Sequence, residues 1–449
     1  MTQQERNKDT YLTKKVRIDS REKRGQKDMA MDRYVITGKQ RLEGTIRVSG
    51  AKNSSLPLLA ATLLVEGTSV LLEIPVLADI THMIEVLEHL GCTVKRQNEG
   101  LLVNAGALDS WVVDEALMRQ MRASNLILGP LLARHGRVKI SRPGGCAIGS
   151  RPMDQHIKGL QQLGVKVKEK HGYIEAWADQ LRGADVYLDV PSVGATENIM
   201  MAAALAQGTT VIRNAAREPE IVDLQNFLNK MGAKVRGAGM DVLRIDGVVA
   251  LHPAEHTVIA DRIEAGTHMI AAVMTEGDVF IENVVPEHLE PVIAKLRQTG
   301  AQITLLDDSV RVQQRGRIRG VDIKTMPYPG FPTDMQPQFM AMLACAEGTS
   351  IITETIFENR FQHVDELRRM GAQITVEGRT AVIRGVETLE GAFVEATDLR
   401  AGAALFLAAL AAEEATVLEK VDYIDRGYEH LEEKYRGLGA KLRRVIQKE

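Results

Sequence analysis

The residues with the most chemistry to offer lie in one loop, Ser141-Arg142-Pro143-Gly144-Gly145-Cys146-Ala147-Ile148-Gly149-Ser150-Arg151-Pro152-Met153-Asp154. Here a thiol sits between two guanidinium groups, which favour the thiolate and lower the pKa of a cysteine. Gly144, Gly145 and Gly149 allow the segment to open and close over a ligand. Cys146 is therefore a candidate reactive residue. Pairing it with His156 as a thiol hydrolase would leave the surrounding basic groups without a purpose. His252 and His256 are spaced like a metal pair but straddle Pro253 in a loop, and read as structural. No Walker sequence and no GxGxxG fingerprint occurs, so no nucleotide cofactor or metal is called for.

A second set of polar residues precedes six apolar stretches: Ser49-Gly-Ala-Lys52-Asn53-Ser54, Met121-Arg122-Ala-Ser124-Asn125, Ser192-Val193-Gly-Ala-Thr196, Asp261-Arg262-Ile-Glu264, Thr333-Asp334-Met-Gln336 and Thr397-Asp398-Leu399-Arg400. Each reads as a helix N-terminus, where free N–H groups and the helix dipole attract anions. Capping needs only Ser, Thr, Asp or Asn, yet four of these starts also carry Lys or Arg. Together they point to a small polyanionic ligand gathered between two halves of the chain.

The elements that position these residues repeat. A helical stretch ending in Gly and followed by a strand-like run appears at Gly91, Gly164, Gly232, Gly300, Gly371 and Gly439, at intervals of 73, 68, 68, 71 and 68 residues. A second such signature lies upstream each time, at Gly67, Gly136, Gly208, Gly277, Gly348 and around Glu414. Each Gly suits the left-handed residue that ends a helix, and the β-branched run after it favours strand. The first helix of each unit (SLPLLAATLL, NIMMAAALA, AGAALFLAALAA) is apolar nearly all round and has to be buried on every side. The second, as in HVDELRRMGA, is amphipathic. Six units with buried helices fit neither a doubly wound sheet nor a TIM barrel, but fit a helical core wrapped by sheets, three units per domain. Cys92 and Cys345 fall at core positions, Cys345 inside a buried first helix.

Composition is consistent with this. At 449 residues the chain is long for one core, and 45% hydrophobic with 26% charged residues is ordinary for a globular protein. A net charge of -3 is a poor footprint for nucleic acid. Three cysteines exclude a disulfide scaffold and suit a reducing compartment. The longest small-apolar run, Ala401 to Ala412, is shorter than the roughly 20 residues of a membrane helix. Residues 1–30 mix Lys and Arg with acids and lack an apolar segment. They read as a disordered tail, or as translation upstream of a start at Met29 or Met31. The expectation is a soluble, cytoplasmic, multidomain protein.

The stretches SGAKNSSLP, MRASNLILGP, PGGCAIGSRPMDQH, PSVGATENIM, AAREPEIVD, FPTDMQPQF, TETIFENRF, ATDLRAGAAL and YIDRGYEHLEEKYRGLGA resemble the UDP-N-acetylglucosamine 1-carboxyvinyltransferases, a family of enolpyruvyl transferases. They span 31 to about 445. The resemblance implies an α/β fold of two inside-out, barrel-like domains, each of three repeats with buried helices and outer sheets. One domain would be 52–259 with the Cys146 loop, the other 31–51 plus 260–449. The implied reaction moves the enolpyruvyl group of phosphoenolpyruvate to the 3′-hydroxyl of UDP-N-acetylglucosamine, releasing phosphate through a tetrahedral intermediate. This is the first committed step of peptidoglycan synthesis.

By the same resemblance, Lys52, Arg151 and Arg426 hold the phosphate region, and Arg360 and Arg400 face the carboxylate. Arg122, Ser192, Val193, Asp334 and Ile356 shape the sugar site, with Asn53, Pro152, Met153, Asp154, Gln155 and Asp398 as further substrate contacts. Asp334 is the candidate to accept the hydroxyl proton. Cys146 is the candidate acid at C3, open to a covalent phosphoenolpyruvate adduct and to alkylation by fosfomycin. Val190 stands where some relatives carry a Lys that reaches uridine. The competing readings are 5-enolpyruvylshikimate-3-phosphate synthase, and a catalytically silent repeat protein that binds nucleotide sugars. The loop thiol argues against the first, and the co-occurrence of Cys146, Asp334 and Lys52 against the second.

Overall fold

The computed structural model describes residues 32–97, 100–141, 148–149 and 153–446, with the backbone only at Arg122. The amino-terminal tail therefore lies outside the described residues. Within them, all six amphipathic helices end alike. Gly91, Gly164, Gly232, Gly300, Gly371 and Gly439 have φ between 89° and 102°. The next residue donates its N–H to the carbonyl five positions back: Cys92 to Leu87, Val165 to Leu160, Ala233 to Leu228, Ala301 to Leu296, Ala372 to Leu367 and Ala440 to Tyr435. This is the Schellman arrangement, which satisfies helix-end carbonyls and needs a residue without the Cβ penalty at positive φ.

The upstream signature is less uniform. Gly67, Gly136, Gly208 and Gly348 have positive φ, but in the fourth unit the left-handed residue is Glu276 (φ 50°) rather than Gly277. Gly277 is needed for room instead, because a Cβ there would lie 2.5 Å from the Leu42 carbonyl oxygen.

Each unit ends in a small sheet of constant plan. Thr209–Arg213 pairs antiparallel with Val242–Asp246, which pairs antiparallel with Lys234–Arg236. On its other edge it pairs parallel with the short strand Asp185–Tyr187. Five sheets have four strands; the sheet of Arg137–Ser141 has three, with a single Val112–Lys139 bridge at the fourth place. Alternation along the central strands sends one face inward, as in the buried Val279 and Ile281 of Asp278–Glu282.

The apolar helices are enclosed as their composition requires. Every residue after Arg262 in Arg262–Met274 is buried, as is every residue from Arg400 to Leu410 in Leu399–Ala411. These two and Gln336–Leu343 touch one another within a core drawn from residues 34–48 and 260–442. A second core, drawn from 51–258, contains Lys52–Ala61, Leu128–His135 and Val193–Ala203. Close packing uses small residues: a Cβ on Gly129 would lie 2.2 Å from the Asn198 carbonyl oxygen. Two of the six helix starts begin as 3₁₀ turns, Arg122–Ile127 and Thr333–Met335. Cys345 lies two residues past the end of Gln336–Leu343, partly buried against the first core rather than inside the helix.

Three strands do not follow chain order. Arg33–Thr37 lies between Ala415–Glu419 and Lys441–Val445 in the sixth unit's sheet. Glu43–Arg47 completes the fourth unit's sheet, and Glu255–Thr257 the first unit's. The chain consequently crosses between the two cores twice, and the crossings run side by side. Gly50 bridges Ala260, Ala51 N donates to Ile259 O (2.7 Å) and Asp261 N to Ser49 O (2.9 Å).

Two glycine substitutions separate backbone strain from steric overlap. Gly371 (φ 89°) has open space where a Cβ would go, so Gly371→Ala should lose about 1 to 2 kcal/mol in urea unfolding from backbone conformation alone. At Gly385 a Cβ would lie 1.5 Å from the Ala346 carbonyl oxygen, so Gly385→Ala should lose roughly 3 kcal/mol or more.

Candidate active site

Two carboxylates bring together four of the predicted cations, Lys52, Arg426, Arg360 and Arg400. Lys52, the first residue of its helix, is buried, and its Nζ lies 2.9 Å from Asp79 Oδ2. Arg426 Nε reaches the other oxygen of Asp79 at 2.9 Å. Lys52 and Asp79 belong to the second core's half of the chain and Arg426 to the other, so Asp79 ties the halves together. Burial, reinforced by repulsion from Arg400 and Arg426, pulls the Lys52 ammonium below its usual range despite Asp79. Burial works the other way on Asp79, but Lys52 and Arg426 hold its carboxyl below the normal range.

The second carboxylate is Asp334. Arg360 Nη2 donates to Oδ1 at 3.0 Å, and Arg400 Nε and Nη2 to Oδ2 at 3.2 and 3.1 Å. Asp334 comes from the 3₁₀ turn Thr333–Met335 and Arg400 from the first turn of Leu399–Ala411, whose N-cap is Asp398. Asp398 Oδ1 accepts from the N–H groups of Arg400 and Ala401. Burial opposes charge on Arg400, yet Asp334, Tyr428 and Asp261 raise its pKa above the ordinary arginine value. Neither guanidinium is fully used. Arg360 Nε and Arg400 Nη1 are buried donors with no hydrogen-bond partner among the described residues. A buried donor left unmade costs about 1 to 3 kcal/mol, which an arriving anion would recover.

Met153 lies at the N-cap of Asp154–Gln162, with exposed Asp154 and buried Gln155. Gln155 is locked on Asp189, donating to Oδ2 (3.1 Å) and accepting from the Asp189 N–H (2.9 Å). Ser192 caps the helix that opens with Val193. Val190 is exposed beside Asp189, which also takes Lys158 Nζ at 2.6 Å. Asn53 is half-buried next to Lys52, and Arg122 opens the 3₁₀ run to Ile127. Cys146, Arg151 and Pro152 lie outside the described residues. The flank of their loop meets the opposite half, with Asn359 N donating to Ile148 O at 3.1 Å.

Comparison with known proteins decides the family. A family model described as EPSP synthase (3-phosphoshikimate 1-carboxyvinyltransferase) matches residues 36–435. A UDP-N-acetylglucosamine 1-carboxyvinyltransferase 2 of Carboxydothermus hydrogenoformans is 57% identical over 417 residues, 92% of this chain and 100% of that protein. A UDP-N-acetylglucosamine 1-carboxyvinyltransferase of Desulfatibacillum aliphaticivorans is 54% identical, covering 92% and 100%. The chain belongs to the enolpyruvyl transferase family. The enolpyruvyl transferase NikO of Streptomyces tendae superposes with TM-score 0.85 at 26% identity, over 94% of this chain and 100% of that one. An EPSP synthase of Acinetobacter baumannii shares the fold (TM-score 0.72, 19% identity, 92% and 100% coverage).

Around this cluster stand residues that sequence reading passed over. Asp79 looks like an ordinary acid in a first helical turn, where the dipole favours one, and nothing local marks it as the partner of Lys52. Glu354 is buried within TETIFENRF. Its Oε1 accepts from the Ile356 and Phe357 N–H groups and Thr325 Oγ1, and its Oε2 from Thr333 Oγ1, so it orients Ile356 and the residue before Asp334. His363 is fully buried near Arg360 and Asp398, and burial lowers its pKa to about 4 although Asp398 pulls it upward. The predicted His pair is structural: His256 Nε2 binds Asp223 Oδ1 at 2.7 Å. Cys92 and Cys345 have pKa values raised to about 12 by burial, so neither is a reactive thiol at neutral pH.

Two outcomes test this account. Asp79→Asn removes the counter-charge from the buried Lys52 and should lose about 3 kcal/mol in urea unfolding. Inorganic phosphate should restore part of that loss, whereas chloride at matched ionic strength should not. His363 binds its proton more weakly folded (about 4) than unfolded (6.5). The unfolded state therefore holds the extra proton between these values, and stability falls as pH drops through 6.5 toward 4. Comparing pH 7 with pH 4.5, His363→Asn should remove about 2 to 3 kcal/mol of the wild-type pH dependence.

Proposed function

We propose that this transferase moves the enolpyruvyl group of phosphoenolpyruvate to the 3′-hydroxyl of UDP-N-acetylglucosamine. One observation carries the reading: four cations from both halves of the chain share two carboxylates, and two of the guanidiniums keep buried donors open among the described residues. A ligand with a phosphate and a carboxylate on three carbons suits that arrangement. Guanidinium forks bind either group bidentately. The names of the relatives supply the acceptor sugar.

In this reading Lys52 and Arg426, with Arg151, take the phosphate, and Arg360 and Arg400 the carboxylate. Arg122, Asn53, Pro152, Met153, Asp154, Gln155, Ser192, Val193 and Ile356 border the UDP-sugar, and Asp398 borders the reacting carbons. The 3′-oxygen forms a bond to C2 as Asp334 takes its proton, while C3 receives a proton from Cys146. The tetrahedral intermediate then returns a proton from C3 to the Cys146 thiolate, restoring the C2–C3 double bond as the C2–O bond to phosphate breaks. Cations held in place before the reaction stabilise the leaving phosphate without reorganising. Two domains, 31–51 plus 260–449 and 52–259, would close around the substrates. The product would enter peptidoglycan synthesis in the cytoplasm. Among the described residues, no helix is long and apolar enough to cross a membrane.

The test is phosphate release from phosphoenolpyruvate with UDP-N-acetylglucosamine or shikimate 3-phosphate as acceptor. Release is expected with the UDP-sugar only; release with shikimate 3-phosphate instead would assign the chain to the sister activity. Asp334→Asn should lower kcat at least about 100-fold, with KM for the UDP-sugar little changed. A loss confined to KM would make Asp334 a substrate contact rather than the base.

A further inference from the structure

The helix that begins with Lys52 has Ala51 at its N-cap, and no side chain of its own segment caps it. Alanine is among the poorest residues at that position, because it offers no oxygen to the open N–H groups of the first turn. The missing acceptor comes from 209 residues away: Asp261 Oδ2 accepts the Lys52 N–H at 3.2 Å. The other oxygen of the same carboxylate caps its own helix, accepting from Ile263 N (2.8 Å) and Glu264 N (3.0 Å). Asp261 is 5% exposed and sits in the second of the two crossing strands. One buried carboxylate thus joins the positive ends of two helices that belong to different cores.

We propose that Asp261 is a positioning residue for the transfer reaction, acting through Lys52. This rests on the reading of Lys52 as a phosphate-binding cation. Lys52 has two anchors, its backbone on Asp261 and its Nζ on Asp79, and only the first is independent of the incoming anion. Asp261 also faces Arg400, the next cation of the site, and Glu264 on its own helix. Through it, the first turn that presents Lys52 takes its bearing from the helix beside Asp334 and Arg400. Without the shared oxygen, that turn loses its direct backbone tie to the opposite half's helix and keeps the paired crossing strands and the side-chain bridge through Asp79.

Asp261→Asn and Asp261→Ser test this role. Asn caps a helix as well as Asp. Two N–H donors against one keep its carbonyl oxygen on Ile263 and Glu264, which turns the amide NH₂ toward the Lys52 N–H. Ser caps its own helix but is too short to serve the second. Both variants should lose roughly 10- to 100-fold in kcat/KM for phosphoenolpyruvate, the scale of a small misplacement of a catalytic group. KM for the UDP-sugar should stay within about two-fold of wild type by the same reasoning. Calorimetric affinity for inorganic phosphate should fall in parallel, measured per folded molecule. Wild-type protein that neither transfers nor binds phosphate would defeat the functional reading itself. Active wild type with variants unchanged in kcat/KM, variants whose two substrates suffer equally, or variants that do not fold would overturn the role assigned to Asp261.

Discussion

Lys52, Arg360, Arg400 and Arg426 are gathered close together, and their mutual repulsion is the condition around which this protein is built. Lys52, Arg360 and Arg400 are all at or below 8% exposed. Stripped of water, none could stay charged beside the others without counter-charge. Asp79 and Asp334 provide it, each bridging two cations. The arrangement is incomplete, since Arg360 Nε and Arg400 Nη1 have no hydrogen-bond partner among the described residues. It is stable enough to persist and still attracts negative charge.

The fold meets that condition through its helix ends. A helix apolar on every side can be polar only at its termini, so a bundle of such helices pushes its charged residues to one end. Lys52, Asp334, Asp398 and Arg400 all lie within the first turn or cap of a core helix, where N–H groups and dipoles hold carboxylates in place. Asp398 and Asp261 use this directly as caps. The outer sheets and amphipathic helices supply the enclosure, and their repeated Schellman ends return the chain to the same geometry six times.

Much of this was legible in the sequence because it depends on local rules. The six Gly stops, the all-apolar helices and the cationic helix starts follow from backbone conformation and patterning, and they appear at the expected residues. What was not legible depends on pairing across the chain. Asp79 resembles any first-turn acid until the fold sets Lys52 and Arg426 on either side of it. Glu354 is one acid among many until its carboxylate is found collecting the N–H groups of Ile356 and Phe357. Gly277 matched the pattern for a different reason, spatial rather than conformational. Cys345 matched the apolar pattern of a core helix that ends just before it.

The crossing of the chain explains why the two halves act as one site. Had each core been built from a continuous segment, one linker would join them and the cations of one half could swing freely against those of the other. Instead Arg33–Thr37 and Glu43–Arg47 close sheets made mostly of the distant C-terminal segment. The return strand Glu255–Thr257 closes the first unit's sheet in turn. The two connections must therefore lie together, and they pair at Gly50 and Ala260. A Cβ on Gly50 would lie 1.9 Å from the Glu73 carbonyl oxygen, so only glycine allows this approach. Lys52 follows directly on one strand and Asp261 ends the other. The point at which the two crossings pair is thus also the point at which the Lys52 end of the cation cluster is anchored.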